Sequence, residues 1–148
     1  MVDQKTAYLR TQIMTARPEQ LTLMLLDGAI RFSERGRACI EAKNFEGSYN
    51  ALQRAENIVL ELVSSLRPED APDICRRQAG LYMFVYGKLV EANMRRDVAA
   101  LNDALRILGI LRETWVMLMD QLQDQPAESR QHDQPVLSET GGRVSIQG

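Results

Sequence analysis

Thr15 to Phe32, TARPEQLTLMLLDGAIRF, is the stretch that decides the fold. A proline suited to a first helical turn is followed at once by apolar residues at helical spacing. Leu21, Met24, Leu25, Gly28, Ala29 and Phe32 share one face at the i, i+3, i+4, i+7 spacing of an amphipathic helix. Asp27-Gly28 would ordinarily signal a turn, but between good helix formers it reads as a packing site. Gly28 would let a neighbouring backbone come close there. A mid-helix glycine costs roughly 1 kcal/mol relative to alanine, so a contact is expected to offset it.

Working outward, punctuation divides the chain into four helical patterns. The first runs from about Pro18 to Lys43, with Arg17 or Thr15 as N-cap. Asn44 caps a second, Phe45 to Leu66, whose apolar face is Leu52, Ala55, Val59, Leu62 and Leu66. Pro68 biases Arg67 away from helix and ends it. Pro72 opens a third helix reaching about Arg96, and Asp97 caps a fourth from Val98 to Gln123. The stripe of the fourth is Leu101, Leu105, Leu108, Leu111, Trp115, Leu118 and Leu122. Long helices joined by short loops imply an all-α fold, an antiparallel up-down four-helix bundle.

Two flanks differ from the bundle at 17–123. Residues 1–16 carry Ala7, Tyr8, Leu9, Ile13 and Met14, a short amphipathic segment expected to fold onto the bundle. In 124–148, twelve of the 25 residues are Gln, Pro, Ser or Gly, and only four are Leu, Ile, Val or Phe. Such a tail buries too little apolar surface to offset its ordering entropy and is expected to be disordered.

Composition narrows the function. The 148 residues are 45% hydrophobic and 26% charged, ordinary for one globular domain. Formal net charge is −2, carried by the tail, so the body is formally neutral. A neutral body gives no electrostatic reason to expect nucleic acid or an anionic membrane as partner. No apolar run approaches the ~18 residues of a membrane span, and no signal-peptide pattern opens the chain, which points to the cytosol. Cys39 and Cys75 are too far apart for a metal motif and read as small buried hydrophobes. The single histidine, His132, lies in the tail. There are no Glu-x-x-His pairs, no phosphate loop and no nucleophile elbow. Asp27, the one carboxylate beside an apolar stripe, reads as structural rather than as a general base. No catalytic residue, metal or cofactor is expected, and the chain is not read as an enzyme.

The third and fourth helices are apolar beyond one stripe. Leu81 to Tyr86 read LYMFVY, and Ile107 to Met119 carry nine large apolar residues. A bundle helix needs only about three apolar positions in seven, so the surplus must be covered. Cover from within the chain is one answer. A groove for an amphipathic partner, with Met83, Met117 and Met119 adapting to it, is the other.

Four blocks in register resemble the FliS family of flagellar export chaperones. They are Ala7-Tyr8 with the Thr15-Ala16-Arg17-Pro18 step and first helix; Ala55-Glu56-Asn57-Ile58-Val59-Leu60-Glu61-Leu62; Leu81-Tyr82 with Lys88-Leu89-Val90-Glu91-Ala92-Asn93 and Asp97; and Arg112-Glu113-Thr114-Trp115. Together they span about Ala7 to Met119. The resemblance implies a cytosolic chaperone that holds the disordered C-terminal segment of flagellin, prevents premature polymerisation and supports delivery to the type III export gate. The client-binding groove is then expected to draw on Leu52, Val59 and Leu62 from the second helix and Tyr82, Val85, Tyr86 and Leu89 from the third. Tyr8 resembles the family tyrosine that folds back over the client site, so Tyr8 and Ile13 are expected to act as an N-terminal plug. The client-free chain could rest as a homodimer. Leu26 and Phe84 stand where tyrosine is common in the family, Arg17 where serine is usual and Lys88 where arginine is common. Lys88 cannot make a bidentate arginine-type contact. The alternative is a constitutive helical adaptor or dimerisation module with no unfolded client.

Overall fold

The computed structural model describes residues 4–8 and 17–124. Its four long helices are α1 (Pro18–Glu41), α2 (Phe45–Ser64), α3 (Pro72–Arg95) and α4 (Val98–Asp124). Residues 4–8 are also helical and exposed. Ile13 and the tail beyond Asp124 lie outside the described residues. No strand occurs among the described residues.

The helix starts follow from local chemistry. Pro18 occupies the first turn of α1, and the backbone N–H of Arg17 donates to Gln20 Oε1 at 3.1 Å. Arginine has no acceptor, so only this half of a capping box operates. Asn44 Oδ1 accepts from the Gly47 N–H at 3.0 Å and starts α2. Asp97 Oδ1 accepts from Ala99 and Ala100 at 2.9 and 3.2 Å and starts α4. Two ends rely on residues that rarely take positive φ. Lys43 (φ 61°) and Arg96 (φ 53°) sit in the left-handed region where glycine or asparagine is usual. The Arg96 guanidinium lies 3.7 Å from the Phe45 ring centroid, a stacking contact that helps hold the α3–α4 corner.

The order of the bundle is written in pairs between α1 and α4. Asp27 is ion-paired with Arg112, and Arg37 donates to Asn102 Oδ1 at 2.8 Å. Moving forward along α1 moves backward along α4, so the two run antiparallel. Lys88 ties α3 to α4 through Asp103 at 3.5 Å. The compact unit that ends at Trp115 contains the core. Leu26 and Ala29 from α1, Leu52, Ala55, Val59 and Leu62 from α2, Tyr82, Val85, Leu89 and Ala92 from α3, and Leu101, Ala104 and Leu108 from α4 are all essentially inaccessible. From Val116 onward the chain continues α4 as far as Asp124, with Met117 and Leu118 exposed.

The first helix is rotated from its sequence reading. Its buried residues are Leu26, Gly28, Ala29, Ser33 and Gly36, so Gly28 and Ala29 of the expected face do turn inward, whereas Leu21, Met24, Leu25 and Phe32 are only partly buried. Leu26 fits its buried position because the interior there is apolar and a hydroxyl would need a partner. The tight approach also moves. A Cβ on Gly28 would meet side chains rather than a backbone, Ile58 Cδ1 at 3.3 Å and an Arg31 guanidinium nitrogen at 3.9 Å. A Cβ on Gly36 would sit 2.5 Å from Leu52 Cδ2 and 2.7 Å from Leu52 Cγ. Leu52 is fully buried and cannot swing away. Gly36→Val is therefore expected to destabilise by ~2–3 kcal/mol through overpacking, lowering Tm by roughly 5–10 °C. A melting curve unchanged from wild type would show that α1 and α2 can move apart freely.

Candidate functional site

Of the seven residues expected to line a groove, six are interior. Leu52, Val59, Leu62, Val85 and Leu89 have no accessible surface, and Tyr82 is 1% exposed. Only Tyr86 is partly accessible. In the free chain these six therefore belong to the core, and a client could reach them only if the helices move apart. A 3.6-residue apolar stripe on a bundle helix marks the seam that packs inward, so selecting residues by that stripe selects the core. Tyr8, expected to plug the groove, is 67% exposed and covers little in this conformation.

The surplus lies out of phase with that seam. On α3 the interior positions are Tyr82, Val85, Leu89 and Ala92. The opposite side of the same helix presents Met83, Phe84 and Met94, all exposed, and Leu81 is exposed on the flank between that side and the seam. Gly80 and Gly87 share the opposite side, and a Cβ on either would meet no atom within 4 Å. Three large apolar side chains and two bare stretches of backbone thus face outward along α3, with Leu81 at their edge. On α4, Ile110 is exposed as well. The sequence signal for this surface was present, since Leu81 to Phe84 contain more apolar residues than one stripe can hold.

Charged groups border the strip and, at Glu91, interrupt it between Gly87 and Met94. Lys88 Nζ lies 5.7 Å from the Phe84 ring centroid and pairs with Asp103 and, at 3.8 Å, with Glu91. A lysine suffices for these contacts, since none is bidentate. Phe84, which lacks the tyrosine hydroxyl, leaves no polar tip to satisfy if a partner covers the ring.

Beneath the outer surface, α3 is fixed by two polar contacts. Gln78 Nε2 donates to the Tyr82 hydroxyl at 3.4 Å. Burial raises the Tyr82 phenol above its ordinary 10.0, while hydrogen bonds from Trp115 and Gln78 pull it partway back. Asn93 Nδ2 donates to Glu56 Oε2 at 3.1 Å and ties α3 to α2. Burial raises the Glu56 carboxyl above its ordinary 4.5, and the Asn93 hydrogen bond opposes this. The unfolded chain therefore gives up this proton at lower pH than the folded one. Stability falls as pH rises from 4.5 through the folded value, and the cost is fully present above it. Glu56→Gln keeps an acceptor for Asn93 without the buried charge. It is expected to raise Tm modestly at pH 7, with the two melting curves converging below pH 4.5. A constant offset at all pH values would refute the linkage.

At one end, two shallow clefts meet at Leu66. One, of about 490 Å³, is lined by Leu21, Leu25, Ser65 and Leu66 between the start of α1 and the end of α2. The other, of about 360 Å³, is lined by Val63, Leu66, Pro68, Pro72 and Cys75. Both suit single apolar side chains of an extended polypeptide rather than an enclosed small molecule.

The Asp27 carboxylate is ion-paired with the Arg112 guanidinium, with both side chains about two-fifths exposed. Among the described residues, no group of three or more His, Cys, Asp or Glu side chains could hold a metal ion. No described helix is long and apolar enough to cross a membrane. Cys39 and Cys75 are free and partly buried.

Comparison with known proteins connects this architecture to a family. The family model for flagellar protein FliS matches residues 1–122. A Vibrio cholerae protein named flagellar secretion chaperone FliS is 29% identical over 111 residues, covering 75% of this chain and 82% of its own length. A Bacillus subtilis protein of the same name is 30% identical over 110 residues, covering 74% and 81%. A crystal structure described as a flagellar chaperone from bacteria superimposes with a TM-score of 0.67 at 19% identity, covering 80% of this chain and 99% of its own. That likeness carries the fold, while the family model and the curated relatives carry the assignment. With the motif blocks distributed over all four helices, this chain belongs to the FliS family of flagellar proteins.

Proposed function

We propose that this protein is a flagellar export chaperone that binds the disordered C-terminal segment of flagellin. In this reading it acts in the cytosol, keeps that segment from polymerising and presents it for delivery to the flagellar export gate. The observation that carries the reading is the outward side of α3, where Met83, Phe84 and Met94, with Leu81 at their edge, flank the open backbone at Gly80 and Gly87. An amphipathic client helix needs such a surface. Large apolar side chains give area, methionines adapt to irregular shapes, and glycines allow close approach. Family membership supports the same conclusion, since the curated relatives are named as secretion chaperones. The role requires holding and releasing a polypeptide, which needs no catalytic group.

Ordering a disordered client typically costs ~2–5 kcal/mol of gross interaction energy and buries ~1,000–3,000 Å². One helix face is too small for that, so the contact is taken to extend from α3 to the clefts at Leu66 and to Ile110. Titrating the chain with a flagellin C-terminal peptide tests the proposal, with calorimetry for stoichiometry and size-exclusion chromatography for oligomeric state. One-to-one binding with a negative heat-capacity change is expected. A stable dimer that ignores the peptide would instead favour the helical adaptor or dimerisation module.

A further inference from the structure

Three arginines crowd one aromatic ring on the side of the bundle formed by α1 and α2. The guanidinium carbons of Arg31, Arg35 and Arg54 lie 5.4, 5.2 and 5.3 Å from the centroid of Phe32. Each is exposed, and none pairs with a carboxylate among the described residues. Glu34 on α1 and Glu46 in the first turn of α2 are near in sequence but make no ion pair with them. Beside the ring is a cleft of about 390 Å³ lined by Phe32, Arg35, Cys39, Asn44, Asn50 and Arg54.

Holding three like charges around one ring is unfavourable, and cation–π attraction at an exposed site returns only ~0.5–1 kcal/mol per contact. Arg35 and Arg54 line the cleft, where an anion would neutralise them and relieve their repulsion of Arg31 across the ring. We propose that this cleft binds a small phosphoryl-bearing anion, of the pyrophosphate or nucleoside polyphosphate class. Guanidinium forks match phosphoryl oxygens bidentately, and the Asn44 and Asn50 side chains add amide donors at the cleft wall. The exposed N-terminal end of α2 adds a partial positive potential on the same side. An acidic peptide would bring carboxylates spaced along a chain, whereas Arg35, Arg54, Asn44 and Asn50 line a single short cleft. A nucleic acid would call for a basic stripe along an otherwise positive surface, and this body is formally neutral. The proposal is independent of client binding, because these residues lie on the second half of α1 and the first half of α2, away from both the outer face of α3 and the clefts at Leu66.

The test uses the full chain and isothermal calorimetry with pyrophosphate and, separately, a nucleoside triphosphate. A chloride control at equal ionic strength removes non-specific screening. Saturable one-site binding of either ligand is expected. Equal affinities would locate recognition in the phosphate chain, and a preference for the nucleotide would add the base to the site. Arg35→Gln with Arg54→Gln should weaken binding by ~100-fold, about tenfold for each charge-assisted contact. Arg106→Ala on α4 should leave binding unchanged. The double variant should keep the wild-type circular dichroism spectrum and flagellin-peptide affinity. Absence of saturable binding beyond the control overturns the proposal, as does undiminished affinity in the double variant. Tighter binding of single-stranded RNA, scaling with length, would replace it with a nucleic-acid surface.

Discussion

Leu62→Ala is expected to cost ~3 kcal/mol of folding stability and to lower Tm by roughly 10 °C. Leu62 has no accessible surface and belongs with Val59, Tyr82 and Val85 to the one buried core cluster. Truncation removes three buried carbons and leaves a cavity that neighbouring helices fill only in part. The family resemblance leads to a different expectation, in which Leu62 touches the client. The two separate cleanly. A core residue loses stability first, and the protein that remains folded still binds; a groove residue loses affinity with little change in melting. Urea unfolding alongside peptide titration at low temperature distinguishes them. A Tm within a degree or so of wild type together with lost binding would return Leu62 to the groove.

Placing carboxylates on the outer side of α3 should have the reverse effect. Met83→Asp with Phe84→Asp is expected to weaken flagellin-peptide binding by about 100-fold or more. Each buried apolar anchor is worth ~2 kcal/mol at a hot spot, and a covered, unpaired carboxylate adds a desolvation cost. Both side chains are about 45% exposed, so the free protein loses little packing and its melting should shift by only a few degrees. Phe84 does contact Lys88, and an aspartate at that position retains an attractive partner for the ammonium. Unchanged affinity in this variant would mean that the client occupies another face, and the chaperone reading would need a different surface.

Between them the two variants state the division of labour in α3. The positions of Tyr82, Val85 and Leu89 hold the bundle together; those of Met83, Phe84 and Met94 are free to meet another molecule. The difference is one step of helical rotation. Sequence periodicity identifies which residues share a side, yet a helix with apolar residues on two sides leaves open which side faces inward. In α3 the stripe containing Tyr82 is the inner one, and the second stripe is the surplus. The same ambiguity affected α1, where Leu21 to Leu26 are apolar on nearly every side. There the interior selected Leu26 over Leu25.

Local chemistry was legible at the helix ends. Pro18, Asn44, Pro72 and Asp97 each mark a start within a residue of where the chain turns helical. Such signals depend on side chains and backbone groups only a few positions apart, so no distant partner can change them. The left-handed corners at Lys43 and Arg96 were not legible, because neither residue type favours that conformation and Arg96 gains its stacking contact from Phe45, some fifty residues earlier. Nor were the pairing of Asp27 with Arg112 and the gathering of Arg31, Arg35 and Arg54 around Phe32.

By itself, then, the sequence determined four amphipathic helices, their boundaries, the family signature and an excess of apolar residues over what one seam can bury. Tertiary packing alone decided which apolar residues are core, which glycine admits a neighbour and where charges converge. The reason is that helix propensity, capping and periodicity act within a turn or two. The inward direction of each helix is a joint property of all four, fixed only when their side chains compete for the same interior volume.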